Sequence, residues 1–322
     1  MRPLEGELPR DEAVLSDAPA VLARGLRKTY NGVEAVRGID LHIGRGEIFA
    51  FLGPNGAGKT TAVEILEGFR QRTEGEVSVL GIDPEHGTRA WRDRLGIVLQ
   101  ESAPDPGLTV KESLGLYAGY YAQPMDADAV LALVGLEAQG AVIATKLSGG
   151  QRRRLDLGLA LIGDPDLIFL DEPTTGFDPA ARRTAWDVIT GLRSLGKTIL
   201  LTTHYMEEAE VLADRIAVIV SGRIVAEGRP GTLGGRDRAA TRIAFQIPAT
   251  ANELVGAALQ GSLETRADGR VSVSTTEPLA ELERLAHWSR TTGTPITDLE
   301  VTRPSLEDIY LALTGSTQGE DT

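Results

Sequence analysis

Short apolar runs recur along the chain at a length that suits buried strands and falls short of a helix. Residues 48–52 (IFAFL), 167–170 (LIFL) and 198–203 (TILLTT) are the clearest, with further strands predicted at 21–28, 76–80, 95–99, 216–220 and 223–226. At 39–43 the apolar Ile39, Leu41 and Ile43 alternate with Asp40 and His42, the pattern of a half-buried antiparallel strand. Ser221-Gly222 between two of the runs predicts a tight hairpin. Helical spacing takes over at 63–69, where Val63, Ile65, Leu66 and Phe69 recur, and in the segments 110–117 and 127–134. It returns at 155–162 through Leu155, Leu157, Leu159, Ala160 and Ile162. Strands separated by helices predict an α/β domain over 21–228, with a helical subdomain inserted at about 101–146.

The end of the chain has a different rhythm. Strands at 241–247, 263–265, 271–275 and 296–301 and helices at 251–259 and 278–292 give the order β-α-β-β-α-β, the split βαβ or ferredoxin-like arrangement. A last helix is predicted to start with Pro304 at or near its first turn, where proline is accepted. The Gly- and Arg-rich stretch 229–240 reads as a linker between the two domains, and 1–20 and 316–322 read as tails. A length of 322 residues suits two domains. Cysteine is absent, which excludes disulfides and thiolate metal sites. A net charge of -13 argues against broad attraction to nucleic acid. No apolar run reaches the roughly 18–20 residues that span a bilayer, so a role at a membrane would need a partner chain.

The chemistry is concentrated after the strand at 48–52. Gly53, Pro54, Asn55, Gly56, Ala57, Gly58, Lys59 and Thr60 match G-x-x-x-x-G-K-[ST] between a strand and a helix, the context a phosphate-binding loop requires. Glycines let the backbone bring its N–H groups against phosphate oxygens, and the following helix, entered through Thr61, points its positive end at the same anion. Lys59 is expected on the β- and γ-phosphates and the Thr60 hydroxyl on Mg²⁺. Tyr30, in a turn ahead of this loop, is a candidate to stack on a purine ring. At 167–172 an apolar strand ends in Asp171 and Glu172, and Asp171 is the candidate metal carboxylate. The stretch LSGGQ at 147–151 puts Ser148 at a helix start, where it suits an N-cap. Gln100 and His204 end two further strands; by itself Gln100 would read as a solvated strand end and His204 as a structural histidine. Arg152 to Arg154 read as the solvated face of the helix after LSGGQ.

Taken together, GPNGAGKT, LSGGQ, LIFLDE, TTGFDP and THYMEEAE, in this order, resemble the nucleotide-binding domain of ABC ATPases over about 21–228. The resemblance implies a P-loop NTPase cassette with a mixed core sheet, an antiparallel β subdomain and a helical subdomain. It implies two cassettes face to face, a homodimer or a pair. Each ATP would lie between the P-loop of one chain and Ser148, Gly149, Gly150 and Gln151 of the other. Glu172 would be the general base, His204 would touch the γ-phosphate, Gln100 would touch Mg²⁺ and the attacking water, and Asp178 would cross the interface. LTVKESL at 108–114, RLDLGLAL after LSGGQ, and PSLEDIYLALTG at 304–315 are similar to ABC-2 type exporter ATPases, among them the daunorubicin-type resistance group. That similarity implies a separate membrane-spanning permease and a place on the cytoplasmic side of the membrane. A soluble ATPase of translation or DNA repair is the alternative; it is disfavoured by the single cassette, the charge and the lack of coiled-coil or zinc modules.

Overall fold

The computed structural model describes residues 18–98, 105–248, 251, 255, 256, 258–265 and 270–317. It divides into two compact units, one ending at Glu227 and the other beginning at Gly228.

The first unit opens with β1 (Val21–Tyr30) and β2 (Val33–Ile43). The Asn31-Gly32 turn joins them, with both residues at positive φ as a two-residue hairpin of this hand requires. Then come β3 (Ile48–Leu52), α1 (Lys59–Leu66), β4 (Glu74–Val79), α2 (Arg89–Arg92) and β5 (Leu95–Val98). Helices α3 (Val110–Ala118), α4 (Ala127–Leu133) and α5 (Gly149–Leu161) form the helical part. The unit closes with β6 (Leu167–Asp171), α6 (Pro179–Ser194), β7 (Thr198–Thr203), α7 (Met206–Leu212), β8 (Arg215–Val220) and β9 (Arg223–Gly228).

Two sheets result. The antiparallel one has the order β2-β1-β4, and the six-stranded one the order β5-β6-β7-β3-β8-β9. In the larger sheet β5, β6, β7, β3 and β8 run parallel, and β9 adds to its edge through the Ser221-Gly222 hairpin. Strands β3 and β7 are buried along their whole length, which is why they read as continuous apolar runs rather than alternating ones. Phe49, Phe51, Phe169 and Trp91 fill the core beside α1, and the Trp91 indole donates to the Val79 carbonyl at 2.8 Å. Residues Leu114 and Val130 pack against Gly158 of α5, so the helical part is built onto α5 rather than standing apart from it. Helix α3 starts on a reciprocal cap: Thr109 Oγ1 accepts from Glu112 N, and Glu112 accepts from Thr109 N.

The second unit holds β10 (Thr241–Gln246), β11 (Ser262–Thr265), β12 (Arg270–Thr275), α8 (Pro278–Thr292), β13 (Thr297–Thr302) and α9 (Leu306–Thr317). Its sheet has the order β11-β12-β10-β13 with every pairing antiparallel. That is the strand order of the ferredoxin-like arrangement. Ile243, Phe245, Val271 and Val273 pack with Leu285 and Trp288 of α8 to form its core. Two expectations are corrected here. Pro304 lies ahead of α9: Ser305 accepts from Asp308 N and caps the helix, and Asp308 accepts from Ser305 N. The stretch expected as a linker folds into the second unit, with Leu233 buried and Arg236 donating to the Pro304 carbonyl at 2.7 Å. The tail 1–17, residues 318–322, positions 252–254 and 257 of the helix expected at 251–259, and the turn at 267–269 lie outside the described residues.

Candidate active site

Parallel pairing brings the predicted residues to one edge. Leu52 is in register with Thr203, and Asp171 with Thr202. The P-loop, the carboxylate pair and His204 therefore leave the sheet side by side, at the carboxyl ends where open α/β sheets hold ligands. The loop needs two of its glycines for space. A Cβ on Gly53 would sit 2.4 Å from the Ile219 carbonyl oxygen, and one on Gly58, at φ 102, would sit 2.3 Å from that of Ala35. Gly58 offers no side chain to cap α1, so the first amides of that helix remain directed at the cavity. Lys59 is 7% exposed, and its Nζ donates to the Gly53 and Pro54 carbonyls at 2.7 and 3.1 Å. Burial lowers its pKa, while Glu172 and Asp171 pull the other way.

Across the cavity, Asp171 accepts from the Thr202 hydroxyl, and Glu172 N donates to the Thr202 carbonyl and hydroxyl, both at 3.1 Å. The Glu172 carboxylate is held at both oxygens: Oε1 lies 3.1 Å from His204 Nδ1, and Oε2 accepts from Thr175 Oγ1 at 3.1 Å. Glu172 has φ 47, a left-handed conformation that costs a non-glycine residue about 1–2 kcal/mol. The strain aims the carboxylate from the strand end into a cavity of about 580 Å³ that Asn55, Lys59, Thr60, Asp171 and His204 also line. Open amides, one buried cation and an exposed hydroxyl fit a polyphosphate. Thr60 and Asp171 are a sparse oxygen donor set, the kind Mg²⁺ uses when phosphates complete its shell.

Ser148 caps α5 reciprocally: its Oγ accepts from Gln151 N, and Gln151 Oε1 accepts from Ser148 N at 3.0 Å. Ser148, Gly149 and Gly150 line a second cavity of about 680 Å³, with Glu172 and Asp178 on its wall. Asp178 Oδ1 caps α6, accepting from Ala180 N and Ala181 N, each at 2.9 Å. Tyr30 closes β1 with Lys28 and Arg70 at 5.0 and 5.4 Å from its ring centroid, and does not line the P-loop cavity. Gln100 lies outside the described residues. The expected solvated face at Arg152 to Arg154 is corrected. The Arg153 side chain is only 13% exposed and turns under the main chain of 171–173, while Arg154 donates to the Gly135 carbonyl at 2.7 Å. Thr175 and Thr202 were not legible as site residues, because a lone hydroxyl in a strand or loop carries no spacing signal.

Residues 36–175 match the ABC transporter family, and 241–305 match the C-terminal domain of ABC transporter domain-containing protein-like chains. The chain is 38% identical over 307 residues to the daunorubicin/doxorubicin resistance ATP-binding protein DrrA of Streptomyces peucetius, covering 92% of each. It is 39% identical over 299 residues to the Nod factor export ATP-binding protein I of Bradyrhizobium diazoefficiens, covering 90% of this chain and 95% of that one.

This chain is a member of the ABC transporter ATP-binding protein family.

Among solved structures, the dimeric post-hydrolysis state of the ATP-binding cassette MJ0796 with ADP and Pi aligns at a TM-score of 0.59 and 28% identity, over 65% of this chain and 98% of that one. The cassette binds nucleotide and hydrolyses ATP. No helix of its described residues is long and apolar enough to cross a membrane.

Beside the site, Glu67 at the end of α1 is 8% exposed and lines a groove of about 560 Å³ with Phe69, Tyr117 and Tyr121. Burial, with Asp171 and Glu64 nearby, pushes its carboxyl up to about 8. An acid raised this way keeps its proton in the folded state after the unfolded chain has lost it. Its contribution to stability is therefore present below the ordinary carboxylate range and lost as pH rises toward 8. In urea unfolding, Glu67→Gln should match the wild type near pH 4 and exceed it by roughly 4 kcal/mol at pH 9. A gap that does not change with pH would show that Glu67 ionises normally.

Proposed function

We propose that this cassette powers a membrane exporter and works head to tail with a second cassette, either its own copy or a paired chain. One observation carries the pairing: within one chain, Ser148 and its glycines line a cavity other than the one Lys59 lines. A signature segment of this kind is useful to a nucleotide held by another chain. In this reading the P-loop amides and Lys59 hold the phosphates, and Glu172 takes the proton of the attacking water. His204 and Thr175 orient that carboxylate, and the glycine-lined N-terminus of α5 closes on the partner's γ-phosphate. Thr60 and Asp171, with Gln100, would hold Mg²⁺, which when bound neutralises charge on the phosphate oxygens. Positioning and charge are most of what phosphoryl transfer needs. Asp178 would lie along the shared interface, and Tyr30 would meet the base.

The names of the relatives support export, with a drug, antibiotic or lipid-like cargo and a separate permease of the ABC-2 type, the cassette lying on the cytoplasmic side. The groove beside Glu67 is the surface we assign to the permease. It lies where α1 meets the helical part, and Phe69 on its rim is 69% exposed. Of the tyrosines, Tyr120 is exposed, whereas Tyr121 is half-buried against Gly163 and supports the fold. Co-expressed with its permease, the wild-type chain should stay on washed membranes, and Phe69→Asp should be released while keeping its soluble ATPase. A wild-type chain that is washed off with every candidate permease, and that binds nucleic acid tightly instead, would favour the soluble-ATPase alternative.

A further inference from the structure

The strained peptide at Glu172 is held from an unexpected direction. Arg153 lies on α5, five positions after Ser148, and its guanidinium reaches under the strand end. It donates to the Asp171 carbonyl at 2.7 Å and to the Pro173 carbonyl at 3.3 Å. These two carbonyls flank Glu172. A left-handed non-glycine residue persists only where its surroundings over-determine it. Here Thr202 holds the amide of Glu172, and Arg153 holds the peptide before it through the Asp171 carbonyl and the peptide after it through the Glu172 carbonyl at 3.5 Å. The next residues are anchored as well. Thr174 is fully buried, and its hydroxyl donates at 2.7 Å to Glu208 of α7, a fully buried carboxylate that also accepts from the Trp186 indole at 3.2 Å. Glu208 fixes the loop to α7 and α6, and Arg153 reaches it from the helix that begins with the signature.

We infer that Arg153 is a positioning residue that couples the signature helix to the backbone of Glu172. Because α5 is one rigid helix, a displacement of Ser148 carries the guanidinium and the flanking peptides with it. Under the head-to-tail reading, on which this inference rests, Ser148 faces the partner's nucleotide while Glu172 faces its own. The guanidinium then links the two nucleotide sites: the base of one is aimed correctly only when the signature beside it is seated on the other. A planar fork that bridges two carbonyls is a geometry lysine cannot reproduce.

The test uses the full chain, with steady-state ATPase and calorimetric ATP binding on Arg153→Lys, Glu172→Gln and the double variant. Arg153→Lys should keep ATP affinity within about twofold and lose roughly tenfold to a hundredfold in kcat, the cost of a misplaced reacting group. Its ATP dependence should lose cooperativity. In the Glu172→Gln background the same substitution should change the residual rate less than about twofold, because the two act through one group. Equal fractional losses with and without Glu172 would overturn the inference. So would parallel loss of ATP binding and kcat in Arg153→Lys, the mark of a merely structural role. Full turnover in Arg153→Lys beside an inactive Glu172→Gln would sink this inference alone. Near-normal turnover in Glu172→Gln would sink the assignment of the base and this inference with it.

Discussion

Glu172→Gln should bind ATP as the wild type does and turn it over about 10²–10⁴ times more slowly, the usual loss when a general base is removed. The expectation follows from the two contacts on the carboxylate. His204 Nδ1 and the Thr175 hydroxyl approach separate oxygens at 3.1 Å each, so the carboxylate is oriented at the cavity. An amide of the same shape keeps one acceptor, turns the other into a donor and has no basicity near neutral pH. The phosphate-binding part of the site, Lys59 and the open amides of α1, is untouched by the change. Binding and chemistry should therefore separate, and the variant should collect as an ATP-loaded dimer visible by size-exclusion chromatography. ATPase near the wild-type rate would remove Glu172 from the role of base.

Chains carrying Ser148→Arg and chains carrying Lys59→Ala should each be inactive alone and recover ATPase when mixed. In the first, an arginine at the start of α5 blocks the signature in both sites. The fold should survive, since a lost N-cap costs about 1 kcal/mol. In the second, Asp171 and Glu172 face the phosphates without the buried ammonium between them. A charge-assisted contact is worth about 1.5–3 kcal/mol, so affinity should fall tenfold or more. A mixed pair joins the intact P-loop of one chain to the intact Ser148 of the other and has one complete site. The measurement is ATPase against mixing ratio, with heterodimers verified by two tags. Verified heterodimers without recovery would count against sharing of the site between chains.

Much of this was written locally. GPNGAGKT needed only its flanking strand and helix to be read as a phosphate loop, because loop, amides and cation lie within eight consecutive residues. Ser148 as a helix cap, the Ser221-Gly222 hairpin, and the four strands and the helix at 278–292 of the second unit were legible for the same reason: each rests on neighbours in sequence. The tertiary structure decided what depends on pairing between distant segments. The register of β3, β7 and β6 brings Gly53, His204 and Glu172 to one edge, and no local pattern encodes that register. Burial decided the rest. Three consecutive arginines look like a solvated face until α5 packs under the end of β6, which turns Arg153 into a clamp on two carbonyls. Glu67 looks like an ordinary helix-end carboxylate until the surrounding elements remove its water and raise its pKa. Sequence by itself determined which groups the protein carries and which short segments they occupy. Their distances, desolvation and partners came only from long-range packing, because these depend on residues that the chain brings together from far apart.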